Sequence, residues 1–194
     1  LVELPPPQRL ALSYGPLRAR ATTLALFALD ARLGTLVRRR GEPVLAQMRL
    51  AWWRDTLAAD PASWPAGDAV LDSLREWREP AGLVPLVDGW ESLLGDSLDA
   101  QAFAQPRGAA FARLAGELGL EAPGAAACGQ VWALGDLAAN LSDAAERAAA
   151  VKYAAALPSP TALPRALRPL TVLAKLARRS LSRGGGPLLD GPGA

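Results

Sequence analysis

The 194-residue chain has no histidine and no isoleucine, one cysteine, one methionine and six threonines. Without histidine there can be no Ser-His-Asp triad, no imidazole general base and no His-ligated metal. Cys128 stands alone, so neither a thiolate zinc site nor a disulfide framework can be built, and a lone thiol fits a reducing compartment. No run approaches the roughly 18 uncharged apolar residues of a membrane span. The start lacks the charged, apolar and cleavage regions of a signal peptide, and the expectation is a soluble cytoplasmic protein. What is abundant is Ala, at 41 residues, and Leu, at 35, whereas Val reaches nine. Ala and Leu are strong helix formers and β-branched residues are few, so the expected fold is all-α. The length suits one domain of about 100 to 200 residues.

The net charge of +2 hides an uneven layout. Residues 1 to 60 carry nine Arg against five acids, 61 to 146 four Arg against thirteen acids, and 147 to 194 eight Lys or Arg against Asp190. Basic ends could meet nucleic acid or an anionic membrane surface, or could lie against the acidic middle of the same domain. Nineteen of the 21 cations are Arg, which together with the Ala load fits a bias of base composition. Arg content is then a weak argument for binding, and a nucleic-acid partner is not expected.

Pro and Gly punctuate the chain into segments of helix length. After Pro5 to Pro7 a long helix is expected from Leu17 to Arg39, with Leu24, Phe27, Ala28, Ala31 and Leu36 near one face. Gly41 and Pro43 break it. A second helix starts near Pro43, where Leu45, Met48, Trp52 and Ala59 follow the spacing of a buried stripe that Trp53 and Leu57 widen. Further helices are expected over Asp68–Arg78, Leu83–Leu94, Asp99–Leu118, Pro123–Leu141 and Asp143–Ala156, with Pro85 and Pro106 starting or kinking theirs. The last runs from Thr161 or Pro164 to Ser182. Residues 1–183 then form one helical domain, and the Gly- and Pro-rich 184–194 a mobile tail.

The last helix sets apolar Leu163, Leu167, Leu170, Ala174, Ala177 and Leu181 on one side and Arg168, Lys175 and Arg179 on another. Such a helix either lies on a membrane or closes a core with its polar side in solvent. The six tryptophans, at 52, 53, 64, 77, 90 and 132, are expected in the core at helical spacing, or lining an apolar tunnel. Arg49 and Arg54, beside Trp52 and Trp53, could hold an anionic head group or pair with Glu42 and Asp55. Cys128, in an AAACG run, reads as a small buried hydrophobe.

Residues 24 to 57, LALFALDARLGTLVRRRGEPVLAQMRLAWWRDTL, resemble the squalene and phytoene synthase family, most specifically at Glu42 to Asp55. VDGWESLL (87–94), RGAAFARLAGELG (107–119), GQVWALGDLAANL (129–141) and LPRALRPLTVLAKLARR (163–179) follow in the order of that family's later helices. The resemblance covers nearly the whole chain. It implies a shortened, isoprenoid-synthase-like helical bundle, in which two aspartate-rich helices face a cavity holding magnesium and two prenyl diphosphates. Diphosphate leaves only when magnesium neutralises it, and magnesium prefers carboxylate oxygens.

Laid on the family's first motif, the chain puts Ala31 in place of an Arg and Gly34 and Arg38 in place of the metal-binding acids. In the second motif Asn140 and Ala144 stand where acids belong. Asp30 and Asp136 lie about one turn earlier and are the remaining candidate catalytic acids, with Asn140 beside them in DLAAN. They are read either as a shifted metal pair or as polar groups near a helix seam. DAVLD, at 68–72, reads as an N-cap and a solvated face. The cavity implied by the resemblance would draw on Phe27, Ala31, Gly34, Arg38, Met48, Trp52 and Trp132.

Loss of both acid pairs and the short length favour a protein that has lost condensation and serves as an isoprenoid- or lipid-binding module. A respiratory-complex assembly module is the related possibility, by likeness to the complex I assembly branch of the fold. No cofactor is then expected. The alternatives are an active, magnesium-dependent prenyl transferase of carotenoid or squalene synthesis using the shifted acids, and a peripheral protein that uses its basic C-terminal helix on the inner membrane face.

Overall fold

Aspartates and prolines open the helices of this chain. Asp68 accepts from the N–H groups of Val70 and Leu71, Asp99 from those of Gln101 and Ala102, and Asp143 from that of Glu146. Each such cap contributes about 1 kcal/mol by satisfying donors that the first turn leaves free. The computed structural model describes residues 3–38, 43–158 and 161–189. Among them it contains nine α-helices and no strand, as the Ala and Leu content predicts: α1 Pro6–Ser13, α2 Leu17–Arg38, α3 Pro43–Ala58, α4 Ala69–Leu74, α5 Val84–Glu91, α6 Ala100–Glu117, α7 Ala125–Asn140, α8 Ala144–Ala156 and α9 Arg168–Leu181. Short 3-10 turns precede α5 and α9 and follow α5.

Helix α1 has no counterpart in the sequence reading. A run of three prolines suggests a linker, yet Pro fits a first helical turn, where its missing N–H has no partner to lose, and α1 has Pro there. Pro85 likewise lies in the first turn of α5. Pro106 does not start its helix, because α6 runs through it. Its ring packs where α5 approaches, and a Cβ built on Gly89 would come within 3.0 Å of Pro106 Cβ.

Helix α7 is the centre of the packing, with α6, α8 and α9 around it. Small residues let backbones close in. A Cβ on Gly129 would meet Gly108 Cα at 2.9 Å, and one on Gly135 would meet Ala177 Cα at 2.7 Å. Helix α9 lays Leu170, Leu173, Ala174 and Ala177 into the core against α7 and α1 and leaves Arg168, Lys175, Arg178 and Arg179 exposed. Its apolar side is thereby spent on the core.

Helix α3 corrects the sequence reading. It buries Ala46, Leu50, Trp53 and Leu57, against α5 and the turn before it. Leu45, Met48 and Trp52, expected in the buried stripe, are 43%, 64% and 44% exposed, and Ala59 is exposed as well. Both sides of this helix are apolar, so periodicity alone could not choose between them. The other five tryptophans are buried.

The basic N-terminal third does reach the acidic middle. Arg32 pairs with Asp68 at 3.5 Å, and Arg54 with Asp88 at 2.7 Å and with Glu91. Arg54 thus ties α3 to α5, where local pairing with Glu42 or Asp55 had been the alternative; Glu42 lies outside the described residues. Hydrogen bonds to Asp88 and then Glu91 raise the Arg54 pKa above its usual value. Of the expected tail, residues 184–189 turn back on the body. Ser180 Oγ donates to the Gly186 carbonyl, Gly185 is buried and Leu188 packs on the core. Residues 190–194 lie outside the described residues. No helix among those described is long and apolar enough to cross a membrane.

Candidate functional site

Three helices aim side chains of i, i+4 spacing at one point, an arrangement that places them on a single face of each helix. Helix α2 supplies Asp30, Gly34 and Arg38, α6 supplies Phe103 and Arg107, and α7 supplies Trp132, Asp136 and Asn140. Helix α5 adds Trp90. Of these, Asp30, Asp136, Trp90, Phe103 and Trp132 meet the guanidinium of Arg107, whose side chain is 1% exposed.

Arg107 holds Asp30 by two bonds, from Nη2 to Oδ2 at 2.6 Å and from Nε to Oδ1 at 3.0 Å, and holds Asp136 by one, from Nη1 to Oδ2 at 3.0 Å. Its flat faces are walled by the rings of Trp90, Phe103 and Trp132, at 4.8, 5.0 and 5.7 Å from ring centroid to Cζ. Burial by itself disfavours the charge, but the attraction of Asp30 and Asp136 outweighs it, and Arg107 is held protonated more firmly than an ordinary arginine. Asp30 receives two further donors, Trp90 Nε1 on Oδ1 at 2.9 Å and Gln8 Nε2 on Oδ2 at 3.3 Å. Asn140 Nδ2 donates to the Asp136 carbonyl at 2.7 Å and reaches its Oδ1 at 3.4 Å.

This set of donors does not fit magnesium. Both oxygens of Asp30 are saturated by four donors, and the cation between the two acids is already a guanidinium. Among the described residues no group of three or more His, Cys, Asp or Glu is placed to hold a metal ion. DAVLD is accounted for locally, Asp68 by its cap and its pair with Arg32, and Asp72 by Arg75 at 3.5 Å.

Beside the triad opens a cleft of about 170 Å³, walled by Val37, Trp90, Leu93, Leu98, Phe103 and Leu137, with Arg38, Asp136, Asn140 and Glu146 among its polar groups. Arg38 lies over the Trp90 ring, its Cζ 5.4 Å from the centroid. Gly34 packs against the same ring, and a Cβ there would fall 2.8 Å from Trp90 Cη2. Two positions where the resemblance places acids, Arg38 and Asn140, therefore open on the cleft, and a third, Gly34, lies against its Trp90 wall.

The remaining residues marked from sequence lie elsewhere. Phe27 is buried with its ring edge-on to Phe111 at 6.1 Å, Ala31 is buried, and Trp132 packs over Arg107 inside the core. None of these three lines the cleft, and Met48 and Trp52 are on the outer side of α3. Arg107 was overlooked, although a signal for it existed. Phe103, Arg107 and Phe111 recur at i, i+4, i+8 in a run of Ala and Gly, so one cation sits on the apolar face of its helix. Compared with family profiles, curated proteins and solved structures, the chain matches none.

Proposed function

We propose that the protein is a squalene/phytoene-synthase-like helical domain that has lost prenyl-diphosphate condensation and acts as a binding module for one isoprenoid or lipid chain end. The observation that carries this reading is the Arg107 bridge between Asp30 and Asp136. Asp30 and Asp136, the acids one turn before the family's metal positions, are engaged by a buried arginine and so are not free to gather magnesium around a diphosphate. The size of the cleft argues the same way. An engineered apolar cavity of about 150 Å³ takes up one benzene, and a cleft of about 170 Å³ is of the order of a single prenyl end rather than two whole chains.

In this reading Trp90, Leu98 and Phe103 hold the apolar end, and Arg38 at the cleft supplies one positive charge for an anionic head group. No step of bond making follows. The test pairs an activity assay with a binding assay. Farnesyl diphosphate and magnesium should yield no C30 product. Farnesyl monophosphate should bind without magnesium, and Leu98→Trp, which fills the cleft from a loop, should weaken that binding about tenfold. A C30 product, or binding untouched by Leu98→Trp, would reject the proposal.

A further inference from the structure

The exposed large apolar side chains of the described residues all fall between positions 10 and 52: Leu10, Tyr14, Leu17, Leu24, Val44, Leu45, Met48 and Trp52. Those of α3 are not scattered. Leu45, Met48, Arg49 and Trp52 follow i, i+3, i+4, i+7 and form one outward stripe, extended by Val44, which is 66% exposed. Leu17, Arg20, Ala21 and Leu24 repeat that spacing on α2, again all exposed. Trp52 is held ready by its neighbour, its ring edge-on to Trp53 at 5.2 Å. Isolated exposed hydrophobes need no explanation, but an apolar stripe along a helix marks an interaction surface.

The charges beside these stripes name the occupant. Three cations of the N-terminal third have acidic partners within the chain: Arg9 pairs with Glu3, Arg32 with Asp68, and Arg54 with Asp88 and Glu91. Arg18, Arg20 and Arg49 are exposed and make no ion pair among the described residues. An apolar stripe that contains a tryptophan and the exposed Arg49 suits the boundary between lipid head groups and acyl chains, where indole rings sit and anionic lipids attract Arg. We infer that the outward side of α3, with Arg49 in its apolar stripe, is a docking surface for an anionic lipid membrane. Helix α9 is a poor rival, since its apolar residues face α7 and α1.

Trp52 makes the surface its own probe, because the other five tryptophans are buried. The full chain is mixed with vesicles of phosphatidylcholine alone and of phosphatidylcholine with phosphatidylglycerol, at low salt. Sedimentation with the anionic vesicles only is expected, with a blue shift of emission and quenching by brominated acyl chains that Trp52→Phe removes. Met48→Glu with Arg49→Glu should lower vesicle affinity by about tenfold or more, while Lys175→Glu with Arg178→Glu on α9 should leave it unchanged. Both pairs change exposed residues, and unchanged circular dichroism verifies their folding. Three results would overturn the inference: no binding to anionic vesicles, loss of binding in the α9 pair instead, or self-association abolished by Met48→Glu, which would make a second copy the occupant.

Discussion

Arg107 and Asp30 meet at two points, 2.6 and 3.0 Å, across 77 residues of sequence and in the interior of the helical bundle. The pair fixes α6 to α2, and the third bond, to Asp136, ties both to α7. A buried charge that loses its partner is far more harmful than a buried pair replaced by apolar groups. Arg107→Met leaves the buried Asp30 and the half-buried Asp136 without their cation and should destabilise the protein by about 3–5 kcal/mol, read from urea unfolding. The triple change Asp30→Leu, Arg107→Met, Asp136→Leu should recover most of that loss. A triple variant no more stable than the single one would show that the bridge is more than a balance of charge.

Restoring the acids of the resembled family will not restore a metal site. Gly34→Asp drives its Cβ into the Trp90 ring, 2.8 Å away, and against Arg38 Nη2, 2.7 Å away. Overpacking of this sort costs about 1–3 kcal/mol. The double variant Gly34→Asp, Arg38→Asp should melt at a lower temperature than the parent, with no rise on adding magnesium.

The seam between α7 and α9 is as intolerant. At Gly135 a Cβ would stand 2.4 Å from Ala177 Cβ and 2.7 Å from its Cα, and backbone cannot swing aside as a side chain can. Gly135→Ala should destabilise by about 1–3 kcal/mol, although Ala is the better helix former by about 1 kcal/mol. Gly116 makes the control, since nothing lies within 4 Å of the position its Cβ would take, and Gly116→Ala should be neutral or stabilising.

Burial raises the pKa of the Cys128 thiol, while nearby Arg178 lowers it by less. A thiol whose folded pKa exceeds its unfolded value adds stability below the unfolded pKa and loses it as pH climbs through the folded one. Alkaline unfolding should therefore be shallower in Cys128→Ala than in the parent above the ordinary thiol range. Iodoacetamide at pH 8 should label the native protein slowly and the urea-unfolded protein quickly.

Composition alone announced an all-helical fold, and Pro and Gly punctuation located eight of the nine helices described, although α9 starts at Arg168, well past the expected Thr161 or Pro164. The cap at Asp68 and the helix starts at Asp99 and Asp143 were readable because an N-terminal signal is local. What escaped was long-range. Two apolar sides on α3 gave no clue to which would be covered, and helix α1 hid behind three prolines. Asp30 and Asp136 could be picked out as acids near a helix seam, but the sequence does not say what stands between them. Arg107 lies 77 residues from one and 29 from the other, and only packing reveals that it takes the place between two carboxylates that a cation would need.

The most direct measurement is a calorimetric titration of the intact protein with a non-hydrolysable farnesyl diphosphate analogue, with and without magnesium, repeated on Asp136→Asn. With Arg107 already between the two acids, magnesium should bring no gain in affinity to the parent or to Asp136→Asn. Tight binding that requires magnesium and disappears in Asp136→Asn would contradict the account.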